Sequence, residues 1–360
     1  MSELCEHPFR RILLIKPSSF GDVIHALPVL NGLRQAYPDA RISWLVSTAC
    51  ATLLEGHPAL DEIILFDRKR YGRIGRDLQI TVEFGRFVLD LRSRNFDLVV
   101  DLQGLFRSGF FALASGAPVR IGFAAAREFG AMFYSHRISC KDPDMHAVDR
   151  NYLFGRRLGF EQVPITFELP VRPQARESVQ GMLEQAGIAP NQPYVLMAPG
   201  TRWETKLWPA DYFAAIARWI LEQHRLPIVL IGAGDEVDIA RHVHEQTGGR
   251  TVNLAGQTAL PEVIALVTDT VLAVMHDSGP MHLATALNKP MVAIFGPTSP
   301  QRTGPYRHPE AVTRLDLSCS PCYLKKVADC PYNHRCMKDL SPDLIRARIS
   351  ELLTGGETAQ

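Results

Sequence analysis

Short apolar runs ending in glycines or acids, alternating with helix-patterned segments, occur as two separate series, and nothing else in the sequence constrains the fold so tightly. Residues 11–16, 42–46, 62–66, 97–101 and 119–123 read as strands of the first series. Residues 194–198, 227–231, 251–254, 270–275 and 291–295 read as strands of the second. Helical periodicity fills the gaps, for example from Val23 to about Tyr37 and from about Gln174 to Ala186. Strands alternating with helices imply an α/β chain with parallel sheets covered on both faces. A length of 360 residues is long for one core. The stretch 164–173, punctuated by Pro164, Pro170 and Pro173, is the expected boundary. The reading is therefore a first domain over 1–168, a second over 174–340, and a C-terminal amphipathic helix with its tail over 341–360.

Open parallel sheets bind ligands beyond the carboxyl ends of their strands, so the turns carry the functional reading. Asp277-Ser278-Gly279-Pro280-Met281-His282 stands where a strand hands over to a helix. Amide groups at such a helix start suit an anion, although Asp or Ser there also serves as an ordinary N-cap. Pro199-Gly200-Thr201, Gly232 to Glu236, Ala255 to Thr258 and Gly296-Pro297-Thr298 close the other strands of this half, a pattern that suits a nucleotide. Gly200, Thr201 and Lys206 supply amide, hydroxyl and ammonium groups for a diphosphate. In the first half, Asp22 follows strand one at a helix start, either as a cap or as a general base. That turn has neither G-x-G-x-x-G nor Walker spacing.

Net charge is +1, with 46% hydrophobic and 21% charged residues, so no global field attracts nucleic acid. Positive charge is local: residues 68–76 hold five cations among nine residues, flanked by glycines. That run is either solvated surface or a mobile anion-binding loop, and Arg107, Arg120 and Arg127 add charge on the same side of this half. No apolar stretch is long enough for a membrane span, and residues 1–9 lack a signal-peptide core, so a cytoplasmic protein is expected. Cys319-x₂-Cys322-x₇-Cys330-x₅-Cys336 could hold zinc or remain as reduced thiols, and is expected to be structural rather than catalytic.

Two Rossmann-like domains facing each other across a central cleft make the architecture of GT-B glycosyltransferases, and four motifs sharpen the likeness. Lys16-Pro17-Ser18-Ser19-Phe20-Gly21-Asp22 resembles the opening K-x-S-S-x-G-D motif of family 9 glycosyltransferases, the lipopolysaccharide heptosyltransferases, and is nearest the heptosyltransferase I type. Thr205-Lys206-Leu207-Trp208-Pro209, Asp277 to His282, and Phe295-Gly296-Pro297-Thr298 are similar to that family's donor motifs, in the same order. The donor loop from Gly200 to Lys206 is one residue longer than in heptosyltransferase I, and the cysteine cluster is a second departure.

The resemblance implies inverting transfer of L-glycero-D-manno-heptose from an ADP-sugar to a Kdo-lipid A-type acceptor at the inner face of the inner membrane. It makes Asp22 the catalytic base. Gly200, Thr201, Lys206, Glu236, Thr258, Asp277, Ser278, Gly279 and His282 become donor residues, with Lys206 on the phosphates and Asp277 on a sugar hydroxyl. Lys16, Ser18, Ser19, Arg70, Arg73, Arg107, Arg120 and Arg127 fall to the acceptor side. No metal, cofactor or nucleic acid is expected, and the protein is expected to be a monomer. The alternatives are another nucleotide sugar or acceptor within the family, a nucleotide-sugar epimerase (against which the motifs speak), and a non-catalytic sugar-nucleotide binding protein.

Overall fold

The computed structural model describes residues 4–355; the start of the N-terminal segment and the tail at 356–360 lie outside the described residues. The chain divides after Pro170 into two compact units. In the first, β1 (Arg11–Ile15), β2 (Arg41–Ser47), β3 (Glu62–Phe66), β4 (Leu98–Asp101), β5 (Val119–Phe123) and β6 (His136–Ile138) form one parallel sheet in the order β3-β2-β1-β4-β5-β6. Continuous burial along β1 and β4 is what a sheet covered on both faces requires. Ile15 registers with Asp101 of β4, so these two strands end level at the carboxyl edge, and β2 runs two residues past Leu45, its partner of Ile15.

In the second unit, β7 (Val195–Ala198), β8 (Ile228–Leu230), β9 (Val252–Asn253), β10 (Leu272–His276), β11 (Met291–Ile294) and β12 (Val312–Thr313) are also parallel, in the order β12-β11-β10-β7-β8-β9. Counted from each unit's own first strand, the two sheets have the same succession. In each, the strand order reverses beside the first strand, between β1 and β4 and between β7 and β10.

The sheets hold three departures from the expected elements. The helix expected over 23–37 is two, Phe20–Ile24 and Leu27–Ala36. Pro28 has no N–H to continue the first helix and instead sits in the first turn of the second. The edge strands β6 and β12 went unseen because they are only three and two residues long and half polar. The C-terminal helix Pro342–Gly355 belongs to the second unit: Ile345 and Ile349 are fully buried in a core with Trp208, Phe213 and Met337. The indole N–H of Trp208 donates to the Leu340 carbonyl at 2.8 Å, tying the segment before that helix into the same core.

Candidate functional site

At the reversal point of the first sheet, Lys16 follows β1 and is almost wholly buried. Its ammonium donates to the Leu102 carbonyl beyond β4 at 3.0 Å and lies 3.6 Å from Asp22 Oδ1. Asp22 Oδ2 accepts from both the amide and the hydroxyl of Ser19, at 2.8 and 2.7 Å. This is a capping box at the start of the helix Phe20–Ile24. The cap reading of Asp22 is thus correct, yet its side chain keeps 41% exposure where that of Lys16 keeps 8%. Burial pushes the carboxyl up, but Lys16 and the Ser19 bonds outweigh it and hold the pKa at about 2. Lys16 and Ser19, expected on the acceptor side, are directed at Asp22; Ser18 is half-buried beside them. Beneath them, the fully buried Asp101 accepts from the Tyr134 hydroxyl at 2.7 Å and the Gln103 amide at 2.8 Å, fixing the turn that presents Leu102.

The second unit repeats the arrangement. After β7, Lys206 reaches Asp277, which follows β10, at 2.6 Å, with side-chain exposures of 16% and 4%. The ammonium also donates to the Asp277 carbonyl at 3.3 Å and lies 4.7 Å from the centre of the Trp203 ring. Asp277 Oδ2 further accepts from the Thr298 hydroxyl at 2.6 Å. Neither Asp277 nor Ser278 caps the helix Gly279–Ala286 through its side chain, so the N-cap reading fails here. A carboxylate this buried and doubly engaged holds Lys206. The Ser278 and Thr258 hydroxyls, both named from sequence, are buried without a protein partner. Thr201 and Gly279 are half-buried in these turns, and His282 lies one turn into the helix.

Glu236 Oε2 accepts from the Ala233 amide at 2.7 Å, and burial raises its pKa above the ordinary glutamate value. A Cβ at Gly200 would stand 2.5 Å from Glu236 Cβ, so only glycine lets the β7 turn approach this carboxylate. Gly200→Ala should therefore displace Glu236 and lower stability by about 1–3 kcal/mol, the usual cost of overpacking. Denaturant unfolding checks this; an unchanged midpoint would show that the turn at 232–236 simply yields.

Several cationic residues are not where the sequence placed them. Residues 68–76 are only in part loop: Arg68–Tyr71 is a short helix capped by Asp67, and the Gly75 amide donates to Thr81 Oγ1. Arg70 pairs with Glu83 at 2.6 Å and Arg73 with Asp77 at 2.9 Å, so both are engaged by acids of the next helix. Arg120 lies near the amino end of β5 and donates to the carbonyls of Ala117 and Phe133, away from the carboxyl edge. Arg107 and Arg127 remain exposed at that edge. Asp142-Pro143-Asp144 has D-x-D spacing, but Asp142 Oδ1 accepts the Asp144 amide in a local turn. Among the described residues no group of three or more His, Cys, Asp or Glu is arranged to hold a metal ion.

The family profile described as Glycosyltransferase family 9 (heptosyltransferase) matches residues 84–332. The chain belongs to glycosyltransferase family 9. Lipopolysaccharide heptosyltransferase 1 of Pseudomonas aeruginosa is 30% identical over 97% of this chain and 99% of its own length. The crystal structure of a family 9 glycosyl transferase from Veillonella parvula superposes with a TM-score of 0.81 at 21% identity, covering 96% of this chain and 97% of that one. The Escherichia coli heptosyltransferase WaaC with ADP superposes at 0.75 and 24% identity, covering 95% and 99%. The family 9 chain is thus a glycosyltransferase with the two-unit α/β fold of the GT-B class.

Sequence reasoning did not foresee that the cysteine-rich segment of this family 9 protein braces the loop that carries Lys206. Thr205 Oγ1 donates to the Leu324 carbonyl at 2.5 Å, Glu204 accepts the Val327 amide at 2.9 Å, and His334 Nε2 lies 2.7 Å from the Thr205 carbonyl. Trp203 lies between Lys206 and Lys325, 5.0 Å from the latter. All four thiols are free and line one cavity of about 270 Å³. Burial, reinforced by the neighbouring thiols, pushes Cys336 up to about 11, so it stays a neutral thiol. Replacing Cys319 and Cys322 with serine should lower the thermal midpoint by several degrees while turnover per folded molecule falls less. A well-folded double variant without activity would contradict a structural role.

Proposed function

We propose that this glycosyltransferase moves L-glycero-D-manno-heptose from an ADP-sugar to the Kdo-containing inner core of a lipopolysaccharide precursor, with inversion at the anomeric carbon. The observation that carries the reading is the pair of lysine–aspartate contacts, one at the reversal point of each sheet. The relative with ADP and the heptosyltransferase 1 homologue support the choice of donor and acceptor class. In the first unit the partly exposed member is a carboxylate, suited to take a proton; in the second it is an ammonium, suited to an anion. The acceptor hydroxyl attacks the anomeric carbon, its proton passes to Asp22, and the bond to the diphosphate oxygen breaks to release ADP. Lys206 offsets charge building on that leaving group, as an electrostatic stabiliser should. Gly200, Thr201, Glu236, Thr258, Ser278, Gly279 and His282 form the donor cradle, with Glu236 on the ribose hydroxyls. The first unit takes the acceptor, and the enzyme works as a monomer at the cytoplasmic face of the inner membrane. No helix among the described residues is long and apolar enough to cross a membrane.

The test is ADP release. It should require both ADP-heptose and the Kdo-containing acceptor, with UDP- and GDP-sugars inert. Binding of ADP-heptose with no turnover on any acceptor would favour a non-catalytic binding protein, and turnover with another sugar nucleotide would move the protein elsewhere in the family.

A further inference from the structure

A membrane-lipid acceptor leaves unexplained a row of apolar side chains on the first unit that face water. Phe129 is 83% exposed, Leu78 81%, Met132 67% and Phe106 48%. Each follows the carboxyl end of a strand: Leu78 comes after β3, Phe106 after β4, and Phe129 and Met132 after β5. Asp22 follows β1 at this same edge. Contacts tie the turns after β4 and β5 together and reach the end of β3. The Arg107 guanidinium lies 5.7 Å from the centre of the Phe66 ring at the end of β3. The Arg127 amide donates to the Gly104 carbonyl at 2.9 Å, and the Phe106 and Phe133 rings meet edge-on at 5.2 Å.

Phe129 is displayed at a cost. Its φ of 61° and that of Glu128, 55°, lie in the left-handed region, which bulky residues avoid. The aromatic ring gains almost no packing in return. Phe129, Met132 and Arg137 line an open depression of about 630 Å³, whose one acid is Glu128. Arg107, Arg127 and Arg137 are all exposed around these knobs. Apolar side chains among guanidinium groups match a surface of acyl chains beneath phosphates. A second copy of the chain is a poorer match, because a two-fold contact on this patch would set arginine against arginine.

We infer that the carboxyl edge of the first unit's sheet docks on an anionic lipid bilayer, with Phe129 and Met132 entering the headgroup layer and the arginines meeting lipid phosphates. The inference rests on the lipid-acceptor reading, because docking there brings Asp22 to a membrane-borne hydroxyl. Vesicle sedimentation tests it, with phosphatidylcholine alone and with phosphatidylcholine containing about one-third phosphatidylglycerol. The wild-type protein should sediment with the anionic vesicles and stay free with the neutral ones. The double variant Phe129→Ser, Met132→Ser should lower partition by about tenfold or more, and Arg137→Gln by a smaller factor. Both should keep the wild-type thermal midpoint and the wild-type rate on a deacylated, water-soluble acceptor. Wild-type protein free in both vesicle types, or a double variant that partitions normally, overturns the docking. So does a concentration-dependent dimer abolished by the double variant, which would assign the patch to self-association. Loss of transfer on every acceptor would instead sink the functional reading.

Discussion

Asp22→Asn should slow heptosyl transfer by about 10²- to 10⁴-fold, the usual contribution of a general base, while ADP binding stays at the wild-type level. Asparagine is the sharper substitution, because its amide oxygen can still accept from the Ser19 amide and hydroxyl. Asp22→Ala removes the capping box as well, and should add a stability loss of about 0.5–2 kcal/mol. Near-normal turnover in Asp22→Asn would leave Asp22 as a cap and nothing more. The pH dependence is a second check. With its folded pKa lowered from 3.8 to about 2, Asp22 contributes stability that is present above pH 3.8 and lost as pH falls towards 2. For the same reason Asp22 should set no acid limb of kcat/KM between pH 4 and 6. A carboxylate this weakly basic takes its proton late, after the attacking hydroxyl has become acidic through bond formation. An acid limb in that window that vanishes in Asp22→Asn would mean that Lys16 does not hold the carboxylate ionised during turnover.

Lys206→Ala should lower kcat by about 10²- to 10³-fold and weaken both ADP and ADP-heptose, because the charge it offsets grows as the diphosphate leaves. It also strands a carboxylate that is only 4% exposed. Breaking a fully buried pair costs about 3–5 kcal/mol, and the partial exposure of Lys206 and the Thr298 bond should reduce that here. Thermal midpoints must therefore accompany the kinetics. Asp277→Asn keeps an acceptor for the Thr298 hydroxyl but releases Lys206. If Asp277 acts by positioning Lys206, its loss should weaken ADP and ADP-heptose in the same proportion, and by less than Lys206→Ala. If Asp277 touches the sugar, only ADP-heptose binding should fall. Isothermal titration with the two ligands separates these outcomes, and unchanged affinity in both variants would place the donor phosphates elsewhere.

Much of this molecule is legible along the chain because its signals are local. Apolar runs that end in glycine or acid located ten of the twelve strands, and β6 and β12 were missed because two or three half-polar residues make no run. Asp22, Lys206 and Asp277 were legible as chemistry at strand ends, but their partners were not. The order of the sheets sets those partners: by laying β4 beside β1 and β10 beside β7, the fold brings Lys16 to the Leu102 carbonyl and Lys206 to a carboxylate 71 residues away. The same two residue types then diverge, Asp22 capping its helix and staying open to solvent, Asp277 leaving its helix uncapped to hold a lysine. The cationic run at 68–76 shows the limit most plainly. Its charge is visible in the sequence, and so is Asp77, four residues beyond Arg73, but Glu83 meets Arg70 only after the following helix folds back, since that pairing depends on distance in space rather than along the chain.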